Sequence, residues 1–352
     1  MSIARQQTCQ NSHFQIKLEI RLFLLGYSEI PFYVYLYLSI NIRHIVQKRF
    51  LLILIVILPL LASAQRNKKY RWELGADLGA TNFLGDLGGA NQIGTHFAKD
   101  LELSLTQPAL GVHIRYRSNR YIGYRADFMY GKVSGNDALT TEKYRHNRNL
   151  YFKSNIFEFS TTLEFYLSKE RAGHVYNYKK LRGLRHIDAQ EYFFIGIGGF
   201  YYNPKANLNG QYIALRPLHT EGLGLKPGTK QYSLYSVCIP MGLGFKYGIN
   251  RRWSVGLEYG LRLTFTDYID DVSTVYVDPA LLYASMDPAT AAVAASFANP
   301  GGHEINAIDN GGVDPTGVNQ QRGDSVHNDA YMFMCVTVNY KLGKIRKTHS
   351  KF

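Results

Sequence analysis

Between Trp253 and Thr266 the chain alternates apolar residues with polar or small ones, without a break. Trp253, Val255, Leu257, Tyr259, Leu261, Leu263 and Phe265 fall on one face of an extended strand. Ser254, Gly256, Glu258, Gly260, Arg262, Thr264 and Thr266 fall on the other. No helix carries this period. A half-buried soluble strand is seldom so long, whereas a strand that crosses a bilayer needs roughly ten residues with one face for lipid and one for a lumen. The fold of the whole chain then depends on whether enough such strands exist to close a barrel.

Seven other segments repeat the pattern. They centre on Trp72–Leu78, Leu110–Tyr116, Ile122–Tyr130, Phe157–Leu167, Tyr192–Tyr202, Val237–Tyr247 and Met332–Leu342. In Tyr192–Tyr202 both faces are apolar and interrupted by Gly196, Gly198 and Gly199, so its inward face is ambiguous. The sum predicts an all-β fold, an eight-stranded antiparallel transmembrane β-barrel with long extracellular loops. Loop lengths agree. The connections at 118–120 and 248–251 are short, and those at 85–104, 131–152, 203–231 and 267–329 are long and fall on the opposite end. The connection 168–190 is the exception, long yet on the short-turn side. Pro240 lies inside a strand and cannot donate a ladder bond, which predicts a bulge or a place at the rim.

A soluble lipocalin-like barrel uses the same alternation with inside and outside exchanged. Aromatics at strand ends (Trp72, Tyr116, Tyr130, Tyr247, Trp253, Phe265 and Tyr340) favour the membrane version, where they form interfacial girdles. So does the charge on the polar face. Acidic Glu73, Asp77, Asp127, Glu158, Glu164 and Glu258 stand against basic Arg115, Arg117, Arg125, Lys246 and Arg262. Near-balanced charge lets buried groups find partners, so these eleven residues are expected to form a lumen network that plugs the barrel. A porin is not expected.

Ahead of the strands stands an export signal. Arg43, Lys48 and Arg49 precede the apolar run Phe50–Leu61, and Ala62-Ser63-Ala64 before Gln65 fits a cleavage site between Ala64 and Gln65. Its twelve apolar residues are too few to span a membrane as a helix. The expected organisation is an over-extended reading frame at 1–42, a signal peptide at 43–64, a short segment at 65–71, the barrel at 72–343 and a basic tail at 344–352. A transmembrane anchor at 23–42 is the rival for the first segment. The formal charge is +13; residues 1–64 hold six Lys/Arg and two Asp/Glu, so residues 65–352 carry 34 minus 25, or +9. No basic helix or RNP-like strand accompanies that charge, so no nucleic acid is expected as a partner. Outer-membrane lipid or an acidic protein suits it better.

Little else suggests chemistry. His113 is the one inward histidine on a strand, and no nucleophile pairs with it, so no catalytic residues, small-molecule substrate or cofactor are expected. Asp267, Asp270 and Asp271, with Asp278 beyond, could offer hard oxygen ligands to calcium, but the spacing lacks a calcium-loop pattern. Asp287-Pro288 through Phe297 reads as a short capped helix, and Asn209-Gly210 as a turn. Cys238 and Cys335 fit small lumen residues better than a disulfide. The basic connection 168–190 carries Lys179, Lys180, Arg182 and Arg185, a docking surface for a periplasmic partner or simply charge near headgroups.

The blocks GATNFLGDLGG (79–89), RNLYFKSNIFEFSTTLEF (148–165), FYYNPKA (200–206), LRPLHTEGLG (215–224), RLTFTDYIDDVSTVYVD (262–278) and QRGD (321–324) carry a resemblance. The chain resembles the PorG-like outer-membrane β-barrel family of the Bacteroidota type IX secretion system. The resemblance implies a small non-enzymatic barrel in the outer membrane that contacts periplasmic secretion-ring proteins and supports their assembly. It offers no catalytic residues, and the long N-terminus departs from it. The alternatives are an outer-membrane enzyme acting on lipid or peptide, and a small OmpA-like structural barrel unrelated to secretion.

Overall fold

The structure is a computed structural model that describes residues 71–87, 103–140, 143–168, 189–250, 252–301 and 316–343. The expected extension, the signal peptide with its Ala64–Gln65 site, residues 65–70, the tail at 344–352 and the docking residues Lys179, Lys180, Arg182 and Arg185 lie outside them. No described helix is long and apolar enough to cross a membrane.

Ten strands form one antiparallel sheet: β1 (Trp72–Leu84), β2 (Gln107–Arg117), β3 (Ile122–Asn136), β4 (Tyr151–Tyr166), β5 (Ala189–Tyr201), β6 (Pro204–Leu208), β7 (Gln211–Ala214), β8 (Tyr235–Gly248), β9 (Trp253–Thr264) and β10 (Ala330–Leu342). The order β3-β2-β1-β10-β9-β8-β5-β4 closes on itself through β3–β4, giving a barrel of the eight strands expected. Closure leaves those eight strands no free edge. The strands β6 and β7 form a hairpin joined to the upper end of β4 at Lys153 and Ser154. Its two-residue turn is Asn209-Gly210, both at positive φ (51° and 89°), the geometry that favours this pair in a tight hairpin.

The barrel is inside-out relative to a soluble one. Leu78, Phe159, Ile197 and Leu243 are among the most exposed apolar side chains, while Arg115, Glu158, Glu164 and Lys246 are buried. This disposes of the lipocalin-like alternative: the apolar face points outward, as in transmembrane β-barrels of the outer-membrane type. At the short-turn end Trp72 packs on Tyr116 and Trp253 on Tyr340, with ring centroids 4.8 Å apart in both pairs. The ambiguous β5 resolves as Tyr192, Phe194 and Phe200 inward and Phe193, Ile195 and Ile197 outward.

Three sequence expectations need correction. Pro240 makes no bulge and is not at a rim. It pairs with Arg262 on β9, and on its β5 side the ladder skips Gly196 and Ile197 yet resumes with Gly198 opposite Cys238 in unchanged register. The missing N–H removes rungs rather than adding a residue. The connection expected at 131–152 shrinks to 137–150, because β3 and β4 run past the apolar belt. Third, the connection 203–231 is not a plain loop, since it holds β6 and β7.

Above the belt the alternation of β4 inverts. Phe157 and Phe159 face outward, but the next outward residues are Asn155 and Lys153, while Ile156 and Phe152 turn inward and are buried. In β3 the outward row passes from Phe128 and Tyr130 to Lys132, with Val133 inward. Lipid-facing wall has become water-facing wall over an apolar core. That core runs from Phe83, Met129 and Phe333 in the upper lumen up to Leu218, Ile269, Val272 and Leu282 among the loops. Three short helices, α1 (Lys143–Arg148), α2 (Pro279–Ser285) and α3 (Pro288–Ala298), belong to this cap. Helix α3 is the one expected after Asp287, whose carboxylate accepts from the Thr290 N–H at 2.9 Å.

Candidate functional site

Inside the belt the inward side chains meet in tiers. Nearest the short turns, Glu73 takes Lys246 and Arg115, the latter at 3.4 Å. Arg117 donates to Gln190 at 2.5 Å and lies 4.1 Å from the Tyr166 ring centre. One level up, Arg115 Nε donates to Glu164 at 2.8 Å. Arg125 holds Glu258 with both terminal nitrogens, Asp127 through Nε and Glu164 at 3.3 Å. Tyr192 donates to Glu258 at 2.7 Å. In the top tier Arg262 and the Tyr331 hydroxyl both donate to Glu158, at 3.2 and 2.9 Å.

All eleven charged residues singled out from the sequence thus face the lumen. The sequence reading left out the neutral and aromatic members: Asn339, Gln190, Tyr166, Tyr192 and Tyr331, and it left out Lys341, which is buried there too. Their inward parity was the available signal. Cys238 and Cys335 are free, buried thiols.

His113 sits between two acceptors, Asp77 Oδ2 at 2.7 Å from Nδ1 and Asn339 Oδ1 at 2.8 Å from Nε2. Arg115 donates to the same Asn339 oxygen at 2.8 Å, which fixes the amide orientation. Among the described residues, Asp77, His113 and Asp127 are the group whose ligand-type atoms lie within 4.8 Å of one another. Both His113 nitrogens and the Asp127 carboxylate already have partners, so the group reads as a hydrogen-bond network.

The loop carboxylates do not form the calcium set considered from sequence. Asp271 accepts from Thr220 and from the Tyr232 hydroxyl at 2.6 Å, Asp278 caps α2, and Asp270 accepts from the Leu87 and Val272 amides. Asp267, Asp270 and Asp271 do not converge within ligand distance. Asp270, Asp271 and Asp278 serve as local anchors of the cap.

Two buried carboxylate oxygens in the cap, on Asp267 and Asp329, have no hydrogen-bond partner among the described residues. Burial pushes Asp267 up to about 8, with the carboxylates of Asp86, Glu221 and Asp324 adding to the effect. Burial raises Asp271 to about 6 against the pull of Arg322, and raises Asp270 and Asp329 with help from their acidic neighbours. A carboxyl whose folded pKa exceeds its unfolded value contributes stability below the unfolded value, and that contribution is lost as pH rises through the folded value. The cap should therefore loosen from about pH 4 to about pH 8. Hydrogen exchange corrected for intrinsic rate should show falling protection at Ile269 and Val272 over that window, and Asp267→Asn should flatten part of the change. Rising protection would contradict this.

Residues 47–278 match the family model described as "Domain of unknown function (DUF6089)". The chain belongs to the DUF6089 family. The matched span takes in β1 to β9 and ends at Asp278, so every lumen acid and base of the eleven lies within it. Similar solved structures are the N-terminal β-barrel domain of Pseudomonas aeruginosa OprF (7% identity, 78% of this chain and 100% of that chain, TM-score 0.31), Neisserial surface protein A (8%, 78% and 100%, TM-score 0.33), and the outer membrane protein OprG from Pseudomonas aeruginosa (9%, 78% and 98%, TM-score 0.32). At such scores they add nothing to this DUF6089 barrel, whose fold rests on its own closed ladder. Among curated proteins, none matches the chain.

Proposed function

We propose that this chain is an outer-membrane scaffold, delivered by a cleaved signal peptide, that supports assembly of a type IX protein-secretion machine without acting as its pore or as an enzyme. The filled lumen carries the reading: stacked ion pairs below and an apolar core above occupy the space a conduit would need. A wall that exposes apolar side chains and hides ions belongs in lipid. The secretion role draws on the sequence blocks that resemble the PorG-like family, with the basic connection carrying Lys179, Lys180, Arg182 and Arg185 as the contact for the periplasmic ring.

Deleting the gene should abolish secretion of proteins that carry the sorting domain of this pathway, and cross-linkers placed at 169–188 should capture a periplasmic ring protein. Normal secretion by the deletion strain would remove the secretion role and leave a small structural barrel. The enzyme alternative has no support in the geometry described: His113 is sealed inside the wall rather than set at the outer rim.

A further inference from the structure

The outward surface of the eight barrel strands is almost free of charge, which makes its exceptions informative. Those exceptions are Lys132 on β3, Lys153 on β4 and Glu191 on β5. Glu191 lies at the short-turn end. The two lysines lie together at the other end, and Lys205 of β6 joins them directly opposite Lys153. Lys132 pairs with Asn155, which makes it the diagonal neighbour of Lys153. Like charges set opposite each other across a ladder are unfavourable, yet no described carboxylate forms an ion pair with any of the three.

Their height is also specific. They begin where the outward rows of β3 and β4 change from aromatic to polar, above Tyr130 and Phe157. Lys132 is ten residues along the strand from Ile122. At a tilt near 40° that rise comes to about 25 Å, the height of the apolar band of an outer-membrane barrel. Exposed Tyr212 flanks the group, with the Lys153 ammonium 5.7 Å from its ring centre. Lysines at the edge of the belt with an aromatic beside them suit one kind of partner, a phosphate at the bilayer surface.

We propose that Lys132, Lys153 and Lys205 form a binding site on the outer wall for the phosphate of an anionic lipid, in the leaflet at the long-loop end. This rests on the membrane reading given above. It is independent of the secretion role.

The test uses the folded full chain in mixed detergent micelles containing equal phosphatidic acid and phosphatidylcholine, with retained lipid counted by native mass spectrometry. The wild type should retain phosphatidic acid in excess. Each lysine exchanged for Gln should weaken that retention by roughly fivefold, and the K132Q/K153Q/K205Q protein should retain the two lipids equally. Equal enrichment in wild type and triple variant overturns the proposal. Loss of the excess on adding inorganic phosphate, with phosphate itself retained, overturns the lipid as its source. Heat-modifiable gel mobility reports folding separately. If the triple variant does not fold, K132R/K153R/K205R should keep the excess and K153Q alone should reduce it, and failure of either result counts against the site. A wild-type chain that will not insert into vesicles defeats the membrane reading itself.

Discussion

Replacing Arg125 with Met is expected to cost the barrel about 3–5 kcal/mol, the usual penalty for removing one partner of a buried ion pair. Arg125 is the node of the middle tier, in contact with Glu258, Asp127 and Glu164. Glu164 would keep Arg115 and the Tyr166 hydroxyl. Among the described residues Glu258 would keep the Tyr192 hydroxyl as a donor, whereas Asp127 would lose the Arg125 Nε that is its hydrogen-bond donor, so the damage falls on Asp127 as well as on Glu258. The midpoint of the heat-modifiable shift, or of urea unfolding in detergent, should fall accordingly. Because most of the cost is stranded charge rather than lost attraction, Arg125→Met combined with Glu258→Met should recover part of it and leave the share that falls on Asp127. A single variant within about 1 kcal/mol of wild type would show that water reaches the tier and screens it.

The two halves of this wall differ in how readable they were. Within the belt, lipid outside and ions inside impose opposite demands on alternate residues, so β9 could be assigned face by face. In β5 the rule weakened because Tyr192 and Phe194 point inward, where their rings lie 5.5 and 4.9 Å from the guanidiniums of Arg115 and Arg125. Aromatic rings serve a charged lumen as well as a lipid surface, so hydropathy cannot choose between them. Above the belt the solvent changes while the strand continues. Lys153, outward, and Phe152, inward, are the natural choices there, and they look like noise to a search for the membrane pattern. The cap was the least readable part. Arg322 and Glu221 meet across 101 positions of sequence, and nothing local to either names the other. The Asn209-Gly210 turn and the Asp287 cap were legible because each is set by its own few residues.

The same cap yields the other large expected effect, and it is larger for the acid than for its basic partner. Arg322 donates to Glu221 at 3.0 Å, to the Asp271 carbonyl at 2.6 Å and to the Ala298 carbonyl at 3.3 Å. Glu221 in turn accepts from the Ser273 and Thr274 amides and from the Thr274 hydroxyl. Arg322→Met removes one donor from a carboxylate that retains three, and should cost about 2 kcal/mol. Glu221→Ala leaves a buried guanidinium without its counterion and two amides without acceptors, and should cost about 3–5 kcal/mol. In both variants the loss should stay above the belt. Hydrogen exchange should quicken at 215–225, 269–278 and 316–323, while the gel shift of the barrel keeps its midpoint, because β9 and β10 hold their ladder without the cap. If the barrel midpoint falls together with the cap, the two fold as one cooperative unit. In that case the short-turn end, where the ring contact is proposed, would respond to changes in loops at the opposite end of the wall.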